Sequence, residues 1–438
     1  MFEGLPKRKL LLLTGDILLL YLSLFLTLFL RSWGQPNWIT FKEHLLPFTI
    51  LYFIWLIVFY IFGFYDLYLS RKTFSLVGRV LAALAFCLIL GTVFFYFIPL
   101  FGITPKTNLL LNIFISGFLI IAWRKIFYSL FSLRFQVKTA VLGENPQSKE
   151  FVELIRINPQ LGYKFVGFLS REENIPEKIR EKQIDTLILA ENFGADSPLA
   201  QILYQCVPFK LNFLDLADAY EIIAEKIPIS FINQIWFLKN IRERRKNFYE
   251  IAKRIIEIFL ASFFLILTLP LWLIIALLIY LEDKGPIFYK QKRIGKDRKP
   301  FLLIKFRTMK PDAETAGPIW ASPNDQRMTK IGRLLRRTHL DELPQLINIL
   351  KGDISLVGPR PERPEFVEQL EKEIPHYHLR HIIKPGFTGW AQIKFRYARS
   401  ITDSFEKFQY DLYYLKNRSL FLDFKILLQT LQLLFRKE

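Results

Sequence analysis

Residues 329–363 concentrate the side chains of this sequence that are suited to chemistry. Two adjacent carboxylates, Asp341 and Glu342, follow a run of arginines, and another arginine lies between two prolines further on. These arginines are Arg333, Arg336, Arg337 and Arg360. Pro344 suits the first turn of a helix over PQLINIL, which places both carboxylates at a helix N-terminus, where free N–H groups favour negative charge. The segment therefore predicts a site that holds phosphates and a divalent cation beside a nucleophile.

An alternative interpretation is that DELP merely starts a helix and that the arginines form a solvated face. Two further segments argue against it. They read LEDKGPIFYKQKRIGKDRKPFLLIKFRTM at residues 281–309 and KPGFTGWAQI at residues 384–393. In this order, the three segments resemble the bacterial sugar transferase family, the polyprenyl-phosphate hexose-1-phosphate transferases, over roughly residues 248–438. PERPEFVEQLEKEIPHYHLRHIIKPG and SFEKFQYDLYYLKN further resemble members that start exopolysaccharide chains.

The resemblance implies a catalytic role for the acidic pair. Asp341 is expected to attack the sugar-bearing phosphate of a UDP-sugar, which releases UMP and leaves a phospho-aspartyl sugar that polyprenyl phosphate then attacks. Glu342 is expected to bind Mg²⁺, an ion that prefers carboxylate and phosphate oxygens. Arg336, Arg360 and Lys305 match phosphate-binding residues of the family by position. Cations are needed at such a site because two anions must approach each other.

Other residues of this region receive structural interpretations. Arg333 and Arg337 are expected at the surface or facing lipid. The histidines of PHYHLRHIIKPG lie close together, but nitrogen ligands are unnecessary for a magnesium-dependent phosphoryl transfer, so packing or headgroup contact is favoured over metal binding. The glycine-rich stretch at residues 384–390 predicts a shaped loop near the substrate, without a chemical role that the residues reveal.

The composition indicates a membrane protein. The chain has 438 residues, of which 52% are hydrophobic and 43 are Phe, and its mean hydropathy is +0.23. The formal net charge of +19 comes from the first and last parts of the chain, and basic segments beside apolar ones predict contact with anionic lipids. Nucleic acid is the competing partner, but the sequence contains no recognised nucleic-acid-binding motif. Cys87 and Cys206 supply neither a disulfide framework nor a zinc-binding spacing.

Four apolar runs predict a four-helix transmembrane region over residues 1–135. They occupy residues 10–30, 45–65, 77–100 and 107–123. The first would be about 31 Å long as a helix, enough to cross a bilayer and too long for a removable signal peptide. Basic residues before the first run, in the second loop (Arg71 and Lys72) and after the fourth run place both ends of this region in the cytoplasm. Asp16 and Arg79 fall near or inside spans, and pairing with another helix or snorkelling to the interface is favoured over a functional role.

Residues 136–240 predict a cytosolic Rossmann-like α/β domain. Short buried strands at VKTAVLG, YKFVGFL, DTLILA and LNFLDL alternate with polar helical stretches, which favours a parallel sheet. The first strand ends at Gly143, and the sequence lacks the two further glycines of a dinucleotide fingerprint. The family resemblance implies such a domain in the larger members. We predict a structural or assembly role and no dinucleotide binding.

The apolar run at about residues 255–280 predicts a re-entrant membrane helix. Its length suits a span, but basic clusters flank it on both sides, the first of them at residues 242–246, whereas a spanning helix is basic on one side. Pro270 removes a helical hydrogen bond and predicts a break in the helix. A helix that enters and leaves the cytoplasmic leaflet satisfies both observations, and the family resemblance implies it.

The sequence thus predicts a multidomain membrane protein with a four-helix transmembrane region, a Rossmann-like α/β domain and an α/β catalytic domain that carries a re-entrant helix. The catalytic domain, residues 248–438, is expected on the cytoplasmic face of the bacterial inner membrane. Amphipathic segments at residues 328–337 and 420–435 are expected to lie in the interface or to pack on the domain core.

The implied function is transfer of a hexose 1-phosphate, such as that of glucose or galactose, from a UDP-sugar to polyprenyl (undecaprenyl) phosphate. This would be the first step of exopolysaccharide or similar glycan assembly, with Mg²⁺ as cofactor and anionic lipids as partners; homo-oligomerisation stays open. One alternative is a glycosyltransferase that releases UDP, although the sequence lacks an Asp-x-Asp motif. Another is a non-catalytic scaffold or chain-length regulator of a polysaccharide assembly complex.

Overall fold

The computed structural model describes residues 4–34, 38–65, 73–97, 106–133, 136–191, 198–209, 211–232, 234–241, 247–310, 327–395 and 400–435. The basic pair at 71–72 and the basic cluster at 242–246, both used in the membrane prediction, lie outside the described residues. The chain divides into two units, Met1–Ala224 and Glu225–Glu438.

Long apolar helices open the first unit, at the positions of the four apolar runs. They are α1 (Gly4–Arg31), α2 (Trp38–Ile61), α3 (Thr73–Phe97) and α4 (Lys106–Leu133). Each contains a segment long and apolar enough to cross a membrane. Asp16 accepts a hydrogen bond from Arg124 of α4 at 2.6 Å, and both side chains are fully buried. The predicted pairing of Asp16 with another helix is therefore confirmed, while the membrane-spanning arrangement stays a prediction.

A four-stranded parallel sheet follows, in the order β2-β1-β3-β4. Its elements are β1 (Val137–Leu142), α5 (Pro146–Ile157), β2 (Tyr163–Leu169), α6 (Ile175–Lys182), β3 (Thr186–Leu189), α7 (Pro198–Gln205), β4 (Asn212–Asp215) and α8 (Leu216–Ala224). The alternation of apolar strands and polar helices thus predicts the α/β architecture correctly. At the start of α5, Asn145 and Ser148 cap each other's backbone N–H groups at 2.7 and 2.9 Å. These two bonds form a capping box, which fixes the start of α5.

The second unit contains a β-hairpin, a pair of short parallel strands and several helices. Its elements are α9 (Gln234–Asn240), α10 (Asn247–Asp283), β5 (Phe288–Ile294), β6 (Pro300–Phe306), α11 (Lys330–Thr338), α12 (Gln345–Lys351), β7 (Ser355–Val357), α13 (Pro364–Glu373), β8 (Gly386–Thr388), α14 (Trp390–Lys394), α15 (Ile401–Asn417) and α16 (Leu420–Phe435). The unit begins earlier in the chain than the predicted catalytic domain. The reason is that Ile227, Ile229 and Ile232 are buried in its core.

The helix α10 is continuous and does not end at the predicted break, since it runs through Pro270 to Asp283. A kink at Pro270 stays a prediction. Two stretches of one face of the helix, before and after Pro270, are buried in the unit at helical spacing. They comprise Lys253, Glu257, Ala261, Trp272, Ile275 and Ile279. The opposite face exposes large apolar side chains, among them Phe259 (70% exposed) and Ile266 (73%).

The two amphipathic segments form the helices α11 and α16. In α16, Ile426 and Leu422 are buried in the core of the unit, whereas Phe421 and Phe424 are 74% and 55% exposed. One face of α16 therefore packs on the core, which is one of the two alternatives predicted for this segment. The other face exposes aromatic rings.

Candidate active site

The acidic pair lies in a 3-10 turn, Leu340–Glu342, between α11 and α12. His339 ends α11 in the left-handed conformation, with φ +56°, and its N–H is bonded to Arg336 O. Pro344 immediately precedes α12, where its missing N–H leaves no helical partner unsatisfied. The pair therefore stands one turn ahead of the helix whose start the sequence predicts, and both carboxyl side chains are buried.

Glu342 binds two cations that come from separate parts of the chain. Its Oε1 accepts hydrogen bonds from Lys305 Nζ and Arg360 Nη2, each at 2.7 Å. Burial raises the pKa of the Glu342 carboxyl, but the charges of Arg360 and Lys305 outweigh this effect and hold the pKa well below its usual range. Glu342 therefore stays ionised and holds two of the predicted phosphate-binding residues side by side.

Asp341 is in a different electrostatic environment, although it is the adjacent residue. Its side chain is 6% exposed, and Oδ1 has no hydrogen-bond partner among the residues that the structure describes. Burial raises the pKa of the Asp341 carboxyl and the charge of Glu342 adds to the increase, whereas Lys305 and Arg336 oppose it. A carboxylate that is buried and unbonded on one oxygen can approach an electrophile without first losing a hydrogen bond.

Arg336 lies on α11 and reaches back to the end of β6. Its Nε donates to Thr308 Oγ1 at 3.0 Å. The same segment therefore supplies Lys305 for Glu342 and Thr308 for Arg336. Gly332 allows α11 to pack this closely, because a Cβ there would lie 2.0 Å from Thr308 O. The other two arginines of the helix are exposed, as predicted: Arg333 and Arg337.

The position of Arg360 depends on a close backbone contact between β7 and β8, which run parallel. Gly386 N, at the start of β8, donates to the O atom of Pro359, which follows β7, at 2.8 Å. A Cβ on Gly386 would lie only 2.0 Å from Gly358 N. The backbone of the glycine-rich stretch at residues 384–390, predicted as a loop near the substrate, thus contacts and supports the backbone of Gly358 and Pro359. Arg360 follows directly.

A buried ion pair supports Arg360 from the other side. Arg380 Nη2 donates to Arg360 O at 2.9 Å and forms an ion pair with Asp411 at 3.0 Å, with both of the paired side chains 3% exposed. The two arginines and His381 line one small cavity. The backbone of Arg360 is therefore fixed, while its side chain reaches Glu342.

Two of the histidines pack inside the second unit, which is one of the two roles that the sequence favours for them. The His376 ring lies 4.9 Å from the ring of Phe237, and His381 is 6% exposed. Across the described ranges, no three His, Cys, Asp or Glu side chains are grouped so that they could hold a metal ion.

The free energy of unfolding should fall at low pH, and His381 should account for part of the fall. Burial, assisted by the charge of Arg380, lowers the pKa of His381 from 6.5 to about 3 in the folded protein. Between these values the unfolded chain binds a proton that the folded chain does not. Stability is therefore lost as the pH falls through 6.5, by about 1.4 kcal/mol per pH unit at most.

Denaturant unfolding at about pH 5 and about pH 7 tests this effect. His381→Phe should show a smaller stability difference between the two conditions than the wild type. His378→Phe serves as the control, because His378 is exposed. An unchanged difference in His381→Phe would mean that this imidazole does not resist protonation in the folded state.

The carboxylates fit a magnesium ion. Mg²⁺ is usually bound by one or two carboxylates together with substrate phosphates and water, so a cluster of three protein ligands is not required. Both cations on Glu342 bind the same oxygen, Oε1, and the buried Asp341 Oδ1 lacks a hydrogen-bond partner within the described part of the chain. Hard oxygen donors of this kind match the preference of the ion.

Sequence reasoning missed several residues that support the site. Thr308 and Arg380 are among them, and both act through contacts between distant parts of the chain. Glu257 is a third: it is a buried carboxylate in the otherwise apolar run at residues 255–280 and accepts a hydrogen bond from Leu356 N at 3.0 Å. A charged residue inside an apolar run was the available signal for Glu257.

Two family models match the chain. Residues 248–437 match the model described as bacterial sugar transferase, which agrees with the resemblance seen in the sequence. Residues 60–208 match the model described as CoA-binding domain. The prediction that this α/β domain binds no dinucleotide stays a prediction.

Several relatives are similar over the second unit or more. A UDP-N-acetylgalactosamine-undecaprenyl-phosphate N-acetylgalactosaminephosphotransferase of Aeromonas hydrophila is 44% identical over 184 residues, which are 42% of this chain and 44% of that protein. A UDP-glucose:undecaprenyl-phosphate glucose-1-phosphate transferase of Escherichia coli (strain K12) is 32% identical over 308 residues, 66% of each chain. These matches cover less than two thirds of either relative. The exopolysaccharide production protein PSS of Rhizobium leguminosarum bv. phaseoli is 40% identical over 188 residues, 41% of this chain and 93% of that protein.

Proposed function

Because this chain belongs to the bacterial sugar transferase family, we propose that it transfers a hexose 1-phosphate from a UDP-sugar to polyprenyl phosphate and releases UMP. The observation that carries this proposal is the buried Asp341, one oxygen of which has no hydrogen-bond partner in the described ranges, beside a Glu342 that holds Lys305 and Arg360. The names of relatives that use undecaprenyl phosphate support the same lipid acceptor. The reaction would be a first step of exopolysaccharide or similar glycan assembly.

Asp341 is the nucleophile in the proposed mechanism. Its carboxylate forms a bond to the sugar-bearing phosphorus, and the bond from that phosphorus to the bridging oxygen breaks, so that UMP leaves with the electron pair. A phosphate oxygen of the lipid then attacks the same phosphorus and Asp341 leaves as a carboxylate. The product is polyprenyl-diphospho-sugar. The low exposure of Asp341 supports this role, because water has little access to the intermediate.

The cations of the site bind the phosphates. Arg360 and Lys305 are already together on Glu342, and Arg336 is oriented by Thr308. Positioned cations of this kind stabilise charge that develops on phosphoryl oxygens. Glu342 would hold the magnesium ion, which would supply further charge neutralisation when bound.

Thr308→Val should lower kcat/KM for the UDP-sugar roughly tenfold, because a hydrogen bond to the charged Arg336 is lost while the shape of the side chain is kept. Steady-state UMP release measures the change. Thr338→Val is a matched control, because the exposed Thr338 bonds only carbonyls of its own helix. Equal rates for both variants would show that Thr308 does not orient Arg336 for the reaction.

Product analysis tests the proposed function directly. The full chain in membranes is incubated with polyprenyl phosphate, Mg²⁺ and a panel of UDP-sugars, and the released nucleotide is identified. UMP release that requires both the lipid and one sugar is the expected result, and it names the sugar. UDP release would mean simple glycosyl transfer, and no release with any sugar would favour a scaffold or chain-length regulator.

For the membrane arrangement, we propose that α10 is re-entrant and that the second unit lies on the cytoplasmic face, with the first unit crossing the membrane four times. The buried stretches of α10 support this proposal, because the unit packs on the helix both before and after Pro270. If α10 spanned the bilayer, polar parts of the unit would enter the hydrocarbon region, where unsatisfied groups are costly. The basic surface of the unit would then face anionic lipids.

Labelling of single cysteines checks the re-entrant topology. Phe248→Cys and Lys296→Cys place a thiol just inside the start of α10 and beyond its end, at exposed positions. The native Cys87 and Cys206 are buried. Both new thiols should react only with reagent applied from the cytoplasmic side. Reaction of either thiol from the periplasmic side alone would exclude the re-entrant arrangement.

A further inference from the structure

Three charged residues near the start of α10 bind the segments that carry the candidate site. Lys253, Arg254 and Glu257 lie within about one helical turn of each other, and Lys253 and Glu257 are 9% and 3% exposed. Burying charged groups is costly unless they are paired and hydrogen-bonded. What these residues bind is therefore informative.

Glu257 and Lys253 hold the strand β7. Glu257 Oε1 accepts hydrogen bonds from the Ser355 hydroxyl and from Leu356 N, the latter at 3.0 Å. Lys253 Nζ donates to Val357 O at 2.7 Å and to Tyr414 OH at 2.8 Å. All three residues of β7 are thus bound by side chains of α10, through bonds that fix the position of the strand along its own direction.

The same helix turn holds the end of α12. Arg254 donates to Ile349 O and Leu350 O, at 2.6 and 2.7 Å. The helix α12 follows the turn that carries Asp341 and Glu342, and β7 precedes Gly358, Pro359 and Arg360. One turn of α10 therefore connects the two segments whose side chains meet at Glu342 Oε1.

From this geometry we propose that Glu257 and Lys253 are positioning residues: by holding β7, they set the place of Arg360 relative to Glu342 and the substrate phosphate. The inference rests on the proposed function, since it concerns the same site. Arg360 is three residues beyond Val357, with a glycine backbone contact and a proline between them. A shift of β7 would therefore pull the backbone of Arg360 away from the position in which Arg380 holds it.

Packing alone does not explain these contacts. A buried ion pair is often replaced by apolar residues of similar volume without loss of stability. Carboxylate and ammonium groups that bind backbone atoms of one short strand instead favour a single register of that strand. We therefore expect their loss to affect the chemical step more than the fold.

A double-mutant cycle with Arg360 tests the proposal. In the full chain, Glu257→Ala should lower kcat for UMP release by about 10²-fold, with a smaller effect on KM, because Arg360 is misplaced rather than lost. In an Arg360→Ala background, the same change should cost less than about threefold. Glu257→Gln, which keeps an acceptor oxygen for Ser355 and Leu356, should retain activity within about threefold. The exposed Glu365→Ala is the control.

Additive effects of Glu257→Ala and Arg360→Ala would overturn the inference, because a merely structural loss does not depend on Arg360. Hydrogen exchange provides a readout that does not need activity: peptides covering residues 355–362 should exchange faster in Glu257→Ala than in Glu257→Gln. Unchanged exchange would also overturn the inference. If the wild type released no UMP, the proposed function would fail, and the exchange result would still decide whether Glu257 holds this strand.

Discussion

Asp341→Asn should abolish transfer while leaving the protein folded. Asparagine has the same shape but cannot form the phospho-aspartyl intermediate of the proposed mechanism, so UMP release should fall by at least about 10³-fold. Stability should be unchanged or increased, because burial disfavours the ionised form of Asp341 and the amide removes that cost. Thermal unfolding and UMP release, measured on the same preparation, check both parts.

Glu342→Gln provides the informative comparison. It should lower activity and stability together, because Lys305 and Arg360 would lose the carboxylate that both of them bind. Asp297→Asn is the neutral control: Asp297 is exposed, and its left-handed backbone, with φ +53°, also suits asparagine. Transfer by Asp341→Asn within tenfold of the wild type would exclude Asp341 as the nucleophile.

Gly386→Ala should destabilise the second unit and remove most activity, although Gly386 contacts no substrate in the proposed mechanism. The added Cβ would lie 2.0 Å from Gly358 N and 2.5 Å from Thr388 O, and both are backbone atoms. They cannot move apart without breaking the hydrogen bonds that join β7 to β8. We expect a loss of about 3 kcal/mol in the free energy of unfolding and about 10²-fold in kcat/KM, since Arg360 follows Gly358 closely.

Unfolding and UMP release measure the two effects of Gly386→Ala. The control is Gly78→Ala, in which the added methyl group meets open space on α3 and should be neutral or slightly stabilising. If Gly386→Ala retained both the stability and the activity of the wild type, β7 and β8 would be further apart than the structure has them. The glycine-rich stretch would then not be the surface that supports Gly358 and Pro359.

The sequence predicts the elements of this protein better than the contacts between them. Hydrophobic periodicity identifies the four apolar helices and the parallel sheet, because both follow from local patterns. The meeting of Lys305 and Arg360 on one oxygen of Glu342 is not local. It requires the hairpin of β5 and β6 and the pairing of β7 with β8, which no spacing in the sequence reveals.

The boundary between the units is likewise set by non-local contacts that the sequence does not reveal. The sequence analysis assigns Ile227, Ile229 and Ile232 to the preceding α/β domain, whereas their side chains are buried in the core of the second unit. The sequence of an apolar segment does not reveal the core in which it is buried. Pro270 is the reverse case. Its chemistry predicts an interruption, yet the helix continues on both sides of it, as proline permits when neighbouring packing holds the turns together.

The double occupation of Glu342 Oε1 has a consequence for turnover. Lys305 and Arg360 already have an anionic partner before any substrate arrives, so a phosphate that binds them exchanges one negative partner for another. The net gain from such an exchange is much smaller than the attraction between free ions. We therefore expect the site to hold UDP-sugar and UMP with modest affinity and to let the spent nucleotide escape quickly. In the proposed mechanism, the Glu342 carboxylate would bind both cations again as UMP departs, before the lipid phosphate enters the site.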